Sequence, residues 1–246
     1  MTLESQRAGI RHLLNERNPA DGMAAYFAFH HPATKIRLVV YPPDGRRAKG
    51  YIALAMTGMD LLRPFVTWRL PPNLEEATAL IYQALQPEMP LILHVPAADL
   101  PLIRALFAIQ SEELLRLYRL EADRFQPLIN VLVMAAAGPN GLRRYVIWEG
   151  MENERPQAAA SAGLNWQSPL YAEVAVNVMP GYRRRGFGRS VVAALAQDLL
   201  GSGHTPLYAA AETNEASLEL AAQLGFTDTG TRLALLEATL RPHPVV

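Results

Sequence analysis

One stretch of the sequence combines a strand-like run, a glycine-containing turn and a helix, and it carries the residues most able to do chemistry. The run ends in Val176, Asn177 and Val178, and Gly186 and Gly188 lie in the turn that follows. A helix start exposes backbone N–H groups that have no partner within the helix, and the helix dipole adds positive charge there. Glycines at this point let an anion approach the backbone closely. The order of these elements therefore predicts a site for a phosphate-bearing ligand.

Arginines surround the two glycines and would supply charge to a diphosphate and a ribose phosphate. The turn and the helix start contain Arg183, Arg184, Arg185, Phe187, Arg189 and Ser190. Taken alone, these residues fit a solvated turn that caps a helix equally well. The spacing R-x-x-G-x-G differs from the dinucleotide fingerprint G-x-G-x-x-G and from the P-loop, which ends in Gly-Lys-Ser/Thr.

A second helix start lies downstream and favours the ligand site over the solvated turn. Asn214 is followed by Ser217, and the helix they begin stops at Gly225 and Phe226. Asn214 is a good helix cap that can also offer an amide to a ligand, and glycine is the usual residue beyond a helix end. In this order the two elements resemble the acetyl-CoA loop and the downstream N-x-x-S/A…G-F element of the GNAT superfamily of N-acetyltransferases. Residues 207–217 further resemble the glycine N-acyltransferase-like branch of that superfamily.

The resemblance covers roughly residues 171–230 and implies both a fold and a co-substrate. The implied fold class is α/β (α+β), the GNAT fold with a mixed central sheet flanked by helices, and the implied co-substrate is acetyl-CoA. Backbone groups of two valines would hold the pantetheine arm like an added strand, and the N–H of Val176 would stabilise the oxyanion. The residues expected to bind acetyl-CoA are Val176, Asn177, Val178, Arg183, Arg184, Arg185, Gly186, Phe187, Gly188, Arg189, Ser190, Asn214 and Ser217.

The same resemblance implies N-acetyl transfer by direct attack of a neutral amine, borne by a small-molecule or peptide acceptor. Glu173, on the strand that feeds the turn, is the candidate base acting through a water, although a surface or salt-bridging role fits its sequence context too. Many GNAT enzymes carry a tyrosine acid seven residues after the capping asparagine, where this chain has Ala221. Tyr208, Ser217 or water would have to protonate the leaving thiolate instead.

The remaining elements indicate two halves, which we place at residues 1–125 and 126–246. The first half is expected to be α/β and a degenerate GNAT-like copy, and the second to be the acetyl-CoA-binding GNAT domain. Hydrophobic periodicity and turn residues predict helices and strands throughout. In the first half these are helices at 3–14, 74–85 and 99–109, and strands at 35–41, 49–56, 65–70, 90–95 and 114–120. In the second half these are strands at 130–136, 143–149, 158–162, 171–178, 206–211 and 232–238, and helices at 190–200 and 215–224.

Composition excludes several other classes of function. The chain of 246 residues carries 23 basic and 23 acidic side chains, so no net field draws it to nucleic acid or to an anionic membrane. Absence of cysteine removes disulfides and thiolate chemistry, and the histidines have no metal-site spacing, so no metal is expected. No signal-peptide core or membrane-length apolar run is visible, which favours a cytoplasmic protein. The GNAT resemblance also leaves room for a homodimer.

Two other functions stay open at the level of sequence. A non-catalytic acyl-CoA sensor or partner-binding module fits Ala221 and the first half, which is poor in motifs. A longer acyl group, as used by glycine N-acyltransferases, fits the branch resemblance.

Overall fold

The computed structural model describes residues 1–44, 47–58, 60–138, 141–152 and 155–243. It divides into two compact units, one of Met1–Leu115 with Arg232–Val246 and one of Arg116–Thr231. This division differs from the two halves expected from sequence, because the end of the chain belongs to the first unit. The physical reason is strand pairing, since Leu233 to Thr239 pair antiparallel with Pro96 to Pro90.

The first unit alternates strands and helices around a mixed sheet. Its elements are α1 (Leu3–Ile10), α2 (Gly22–Ala25), β1 (Ile36–Tyr41), β2 (Gly50–Ala55), β3 (Phe65–Arg69), α3 (Leu74–Ala84), β4 (Pro90–Pro96), α4 (Leu100–Leu106) and the first part of β5 (Phe107–Arg119). Strands β1, β2 and β3 pair antiparallel, whereas β3 pairs parallel with β4 at Phe65–Ile92 and Val66–Leu93. Buried side chains line both faces of this sheet.

From β7 onward the second unit repeats the order that the first unit has from β1 onward, but it starts with the additional strand β6 instead of two helices. It contains the end of β5, then β6 (Met134–Ala137), β7 (Arg143–Glu152), β8 (Arg155–Gln167), β9 (Tyr171–Val178), α5 (Phe187–Gly201), β10 (Thr205–Ala211), α6 (Glu215–Gln223) and the start of β11 (Thr227–Leu240). Strands β6 to β9 pair antiparallel with their neighbours, and β9 pairs parallel with β10. Its core packs α5 and α6 against one face of the sheet.

Most predicted elements are confirmed, with corrections at their ends. The helix predicted at 99–109 stops at Leu106, because Phe107 already begins the 13-residue strand β5. The strand predicted at 130–136 begins only at Met134, and the one predicted at 158–162 is the middle of the 13-residue strand β8. Residues 45, 139 and 140, in the turns between the predicted strands 35–41 and 49–56 and between 130–136 and 143–149, lie outside the described residues.

Candidate functional site

The parallel pair β9–β10 opens partway along its length. The two strands pair only at Tyr171–Thr205, Ala172–Pro206 and Glu173–Leu207, and no ladder pair joins them beyond that point. On its other edge β9 stays paired with β8 as far as Val178. One edge of residues 174–178 therefore presents alternating N–H and C=O groups that no neighbouring strand uses. An extended ligand chain can pair with such an edge.

The turn after β9 leads directly to the start of α5. Arg184 and Gly186 both take left-handed backbone conformations, with φ of 61° and 79°, and Gly186 is the N-cap of α5. No side chain caps this helix, in contrast to α3 and α6, which are capped by Asn73 and Asn214. The N–H groups in the first turn of α5 thus have no side-chain cap, which leaves them available to an anion.

Gly188 lets the start of α5 approach β9 closely. A Cβ atom at this position would lie 3.1 Å from Val178 Cγ2, 3.2 Å from Leu220 Cδ1 and 3.9 Å from Val176 Cγ2. Val176 and Val178 of β9 therefore face α5. The glycine is needed for helix-to-sheet packing, and it also brings the open edge of β9 next to the helix start.

The four predicted arginines differ in how much they are engaged. Arg185 lies 3.3 Å from Glu149 and places its guanidinium 4.9 Å from the ring centre of Phe187. Arg183 and Arg189 make single contacts, with the Val178 carbonyl at 3.4 Å and the Gln223 side chain at 3.2 Å. Arg184 is exposed and has no ion pair or hydrogen bond among the residues that the structure describes. Arg184 is therefore the cation most free to bind an anion.

Glu173 lies where the β9–β10 ladder ends, on the face of the sheet opposite the valines. Its side chain is buried, which excludes the alternative of a surface role, and neutral donors hold both carboxylate oxygens. Asn165 Nδ2 donates to Oε1 at 2.7 Å, and Trp166 Nε1 donates to Oε2 at 3.1 Å. Burial raises the pKa of Glu173, and the two donated hydrogen bonds oppose that rise. Such a carboxylate binds a proton more readily than an exposed one.

Tyr208, on β10, lies one residue past the last ladder pair and on the other face of the sheet. It is buried beside Phe226, with ring centres 5.9 Å apart, and the side chain of Ser217 on α6 interacts with its hydroxyl. Burial raises the pKa of Tyr208, so the phenol stays protonated near neutral pH. Ala221, where many GNAT enzymes have a tyrosine, is fully buried one turn after Ser217.

Two other predicted site residues, Asn214 and Ser190, already make hydrogen bonds within the protein, whereas Asn177 is exposed. Asn214 caps α6, accepting from the Ser217 N–H at 3.1 Å, and Asn177 is exposed on β9. Ser190 is buried, and its hydroxyl donates to Asn130 Oδ1 at 3.0 Å and lies 3.2 Å from the Gly186 carbonyl oxygen.

Sequence reasoning missed three residues that shape the site. Asn130, at the start of the predicted strand 130–136, accepts a hydrogen bond from Ser190. Glu149, at the end of the predicted strand 143–149, pairs with Arg185. Asn165 reaches Glu173 because β8 has an irregular register between Leu164 and Trp166, opposite Val174 and Glu173. No residue pattern signals such a bulge, so only the fold reveals these contacts.

Two features of the described residues bear on other classes of function. Among them, no group of three or more His, Asp or Glu side chains is arranged to hold a metal ion. None of the helices found there has both the length and the apolar character to cross a membrane.

Comparison with known proteins agrees with this architecture. Residues 154–234 match the family model described as FR47-like protein. The fold is similar to that of a GCN5-related N-acetyltransferase from Kribbella flavida, with 14% identity, a TM-score of 0.62, and coverage of 90% of this chain and 96% of that one. A GCN5-related N-acetyltransferase from Sphaerobacter thermophilus has 12% identity and a TM-score of 0.59, over 99% of this chain and 93% of that one.

A tandem GNAT protein from the clavulanic acid biosynthesis pathway, solved without AcCoA, has 15% identity and a TM-score of 0.59, over 99% of this chain and 95% of that one. No curated protein sequence matches this chain significantly. At these identities the likeness establishes the fold alone: the chain has the mixed α/β fold of GNAT acetyltransferases. The resemblance to the glycine N-acyltransferase-like branch stays a prediction.

Proposed function

We propose that this protein is an N-acetyltransferase that moves the acetyl group of acetyl-CoA to the amine of a small-molecule or peptide acceptor. One observation carries the proposal. The strands β9 and β10 part beside the uncapped start of α5, and two side chains suited to proton transfer, Glu173 and Tyr208, flank the point of parting on opposite faces. The GNAT fold makes acyl transfer the reaction class to test first.

The residues present fit the chemistry of acetyl-CoA. The open edge of residues 174–178 suits the amide-bearing pantetheine arm, and the N-terminus of α5 with Arg184 suits the diphosphate. Arg183 is exposed beside them and adds positive charge. An oxyanion that develops on the thioester carbonyl would need a backbone N–H on the same edge of β9, for which Val176 is our candidate.

The proposed reaction is direct attack of the neutral amine on the thioester carbonyl. Glu173 takes a proton from the amine, directly or through one water, and its burial favours proton uptake. The C–N bond forms as the C–S bond breaks, and Tyr208 donates its proton to the departing thiolate of CoA. Ser217, whose side chain interacts with the Tyr208 hydroxyl, orients that phenol. The base and the acid thus act from opposite faces of the sheet.

We further propose that only the second unit holds acetyl-CoA. The solved tandem GNAT protein and the shared order of elements support reading the first unit as a second GNAT-like copy. In that copy β3 leads to α3 through Pro71 and Pro72, which lack N–H groups, and Asn73 already caps the helix. Glu75 and Glu76 occupy the first turn of α3, where they would repel an anion.

A thiol-release assay tests the proposed function directly. The protein is incubated with acetyl-CoA and a panel of amines, and free CoA is measured with a thiol reagent. Because the chain has no cysteine, the protein contributes no thiol background. We expect release that depends on one class of amine and stops in Glu173→Gln. Tight binding of acetyl-CoA without amine-dependent release would favour the sensor, and faster turnover of longer acyl-CoAs would identify a different donor.

A further inference from the structure

The bulge in β8 gives Glu173 a pair of donors that a regular strand would not supply. In the register of β8 against β9, Leu164 pairs with Val174 and Trp166 pairs with Glu173, so Asn165 is an extra residue. A bulge of this kind re-aims side chains on the bulged strand. Here two consecutive residues, Asn165 and Trp166, both reach the same carboxylate, at 2.7 Å and 3.1 Å.

The two donors approach Glu173 from different environments. Trp166 is fully buried, whereas Asn165 is exposed although its amide reaches a buried oxygen. The side chain of Asn165 therefore lies between the carboxylate and solvent. An exposed residue rarely has a packing role, so a donor held there bears on the state of the carboxylate more than on the core.

No charged group of the described residues contributes to the environment of Glu173, and these two donors are its only polar partners there. The nearest titratable group on the same face of β9 is Tyr171, which interacts with Arg119 and Glu121 instead. Leu207, the partner of Glu173 on β10, is apolar. Without a cation nearby, the ionised form of the carboxylate depends on neutral N–H donors.

We infer that Asn165 is a positioning residue that, together with Trp166, fixes the orientation of the Glu173 carboxylate and keeps it ionised as the reaction's base. This inference rests on the proposed function, in which Glu173 accepts the proton of the amine. The donor at Oε1 also fixes which lone pairs face away from β8 and remain free for that proton. Because Asn165 is exposed, it can be replaced with little effect on folding.

The direct test follows the ionisation of Glu173 by ¹³C NMR of labelled glutamate carboxyl groups, with Glu173→Gln used to assign the signal. In Asn165→Leu, which keeps the size but removes the donor, we expect the pKa of Glu173 to rise. Trp166→Phe, which removes the indole N–H, should raise it as well, and Asn165→Gln should restore it in part. Gln167→Leu, on the same strand, removes a contact with His204 and should leave the titration unchanged.

Kinetics provide the second readout. In Asn165→Leu the acid limb of the kcat/KM profile should move to higher pH. At a fixed pH on that limb, kcat/KM should fall about tenfold for each pH unit by which the limb moves. The KM for acetyl-CoA should not change, because the donor does not touch that part of the site. An unmoved Glu173 titration in both Asn165→Leu and Trp166→Phe would overturn the inference. If the two variants shift the titration of Glu173 as expected but the wild-type protein transfers no acetyl group, the proposed function would be overturned instead.

Discussion

The side chain of Ser217 on α6, one helical turn before Ala221, lies close enough to Tyr208 on β10 to lower the pKa of its hydroxyl, against the rise that burial causes. A phenol from the strand thus lies near the part of α6 where many GNAT enzymes have a tyrosine. Ser217 is the fourth residue before Ala221, so the two share one face of the helix. Although Ala221 stands where the motif has a tyrosine, Tyr208 therefore provides a buried phenol in this region.

Replacing Tyr208 tests its role as the acid. We expect Tyr208→Phe to lower kcat by about a hundredfold, the order typical of general acid–base catalysis, and to leave the Kd for acetyl-CoA unchanged. Tyr118→Phe, at another buried tyrosine of the same core, controls for packing. Equal activity of Tyr208→Phe and the wild type, in a steady-state assay, would remove Tyr208 from the mechanism.

Gly186 and Gly203 make a matched pair for testing the anion site. Both have a left-handed backbone, with φ of 79° and 81°, one at the start of α5 and the other just beyond its end. Valine at either position should cost stability by about 1–2 kcal/mol, because L residues are strained there. Only Gly186→Val should also abolish binding of acetyl-CoA in a calorimetric titration. Equal binding by the two variants would place the phosphates elsewhere.

Arg184 should contribute positive charge to acetyl-CoA binding, and its replacement should not change the stability of the fold. Arg184→Ala is expected to weaken binding of acetyl-CoA about threefold to tenfold at low salt, because an exposed charge pair contributes modestly. The loss should shrink as salt rises, since salt screens exposed charges. Arg37→Ala, at an exposed position of β1, should bind like the wild type at every salt concentration. A salt-independent effect of Arg184→Ala would indicate a change in loop conformation.

His94 should make the protein sensitive to acid. This side chain is buried against Phe65, with ring centres 5.8 Å apart, and burial lowers its pKa to about 4 from 6.5. Because the folded-state pKa is depressed, its contribution to stability is fully present above pH 6.5 and is lost as pH falls toward 4. We expect the free energy of unfolding to fall by about 3 kcal/mol more in the wild type than in His94→Phe over this range.

Denaturant unfolding at a series of pH values checks this expectation. The exposed His12 offers a control, and His12→Gln should retain the full acid sensitivity of the wild type. Parallel pH dependence in His94→Phe and the wild type would mean that His94 takes up its proton in the folded state without penalty.

The helix starts of the candidate anion site could be predicted because their signal is local. Gly186 begins a helix after a strand, and Asn214 caps the next helix, so neighbouring residues alone determine these features. Strand β9 was predicted with its observed ends because its valines alternate with other residues. The element order of both units followed from periodicity for the same reason.

What escaped the sequence depends on strand pairing between distant residues. The last residues of the chain belong to the first unit because Leu235 and its neighbours pair with the strand around His94. No local sequence pattern encodes that pairing. Burial of Glu173 likewise depends on the bulge at Asn165 in the neighbouring strand. Register and bulges are set by tertiary packing, so a single sequence without its fold does not reveal them.

The most direct test of the central claim is calorimetric titration of the full chain with acetyl-CoA. We expect one binding site per chain, with micromolar affinity that weakens as salt rises, and loss of binding in Gly186→Val but not in Gly203→Val. Two sites per chain would contradict the assignment to the second unit alone. No binding at any salt concentration would mean that the GNAT fold is present here without acyl-CoA chemistry.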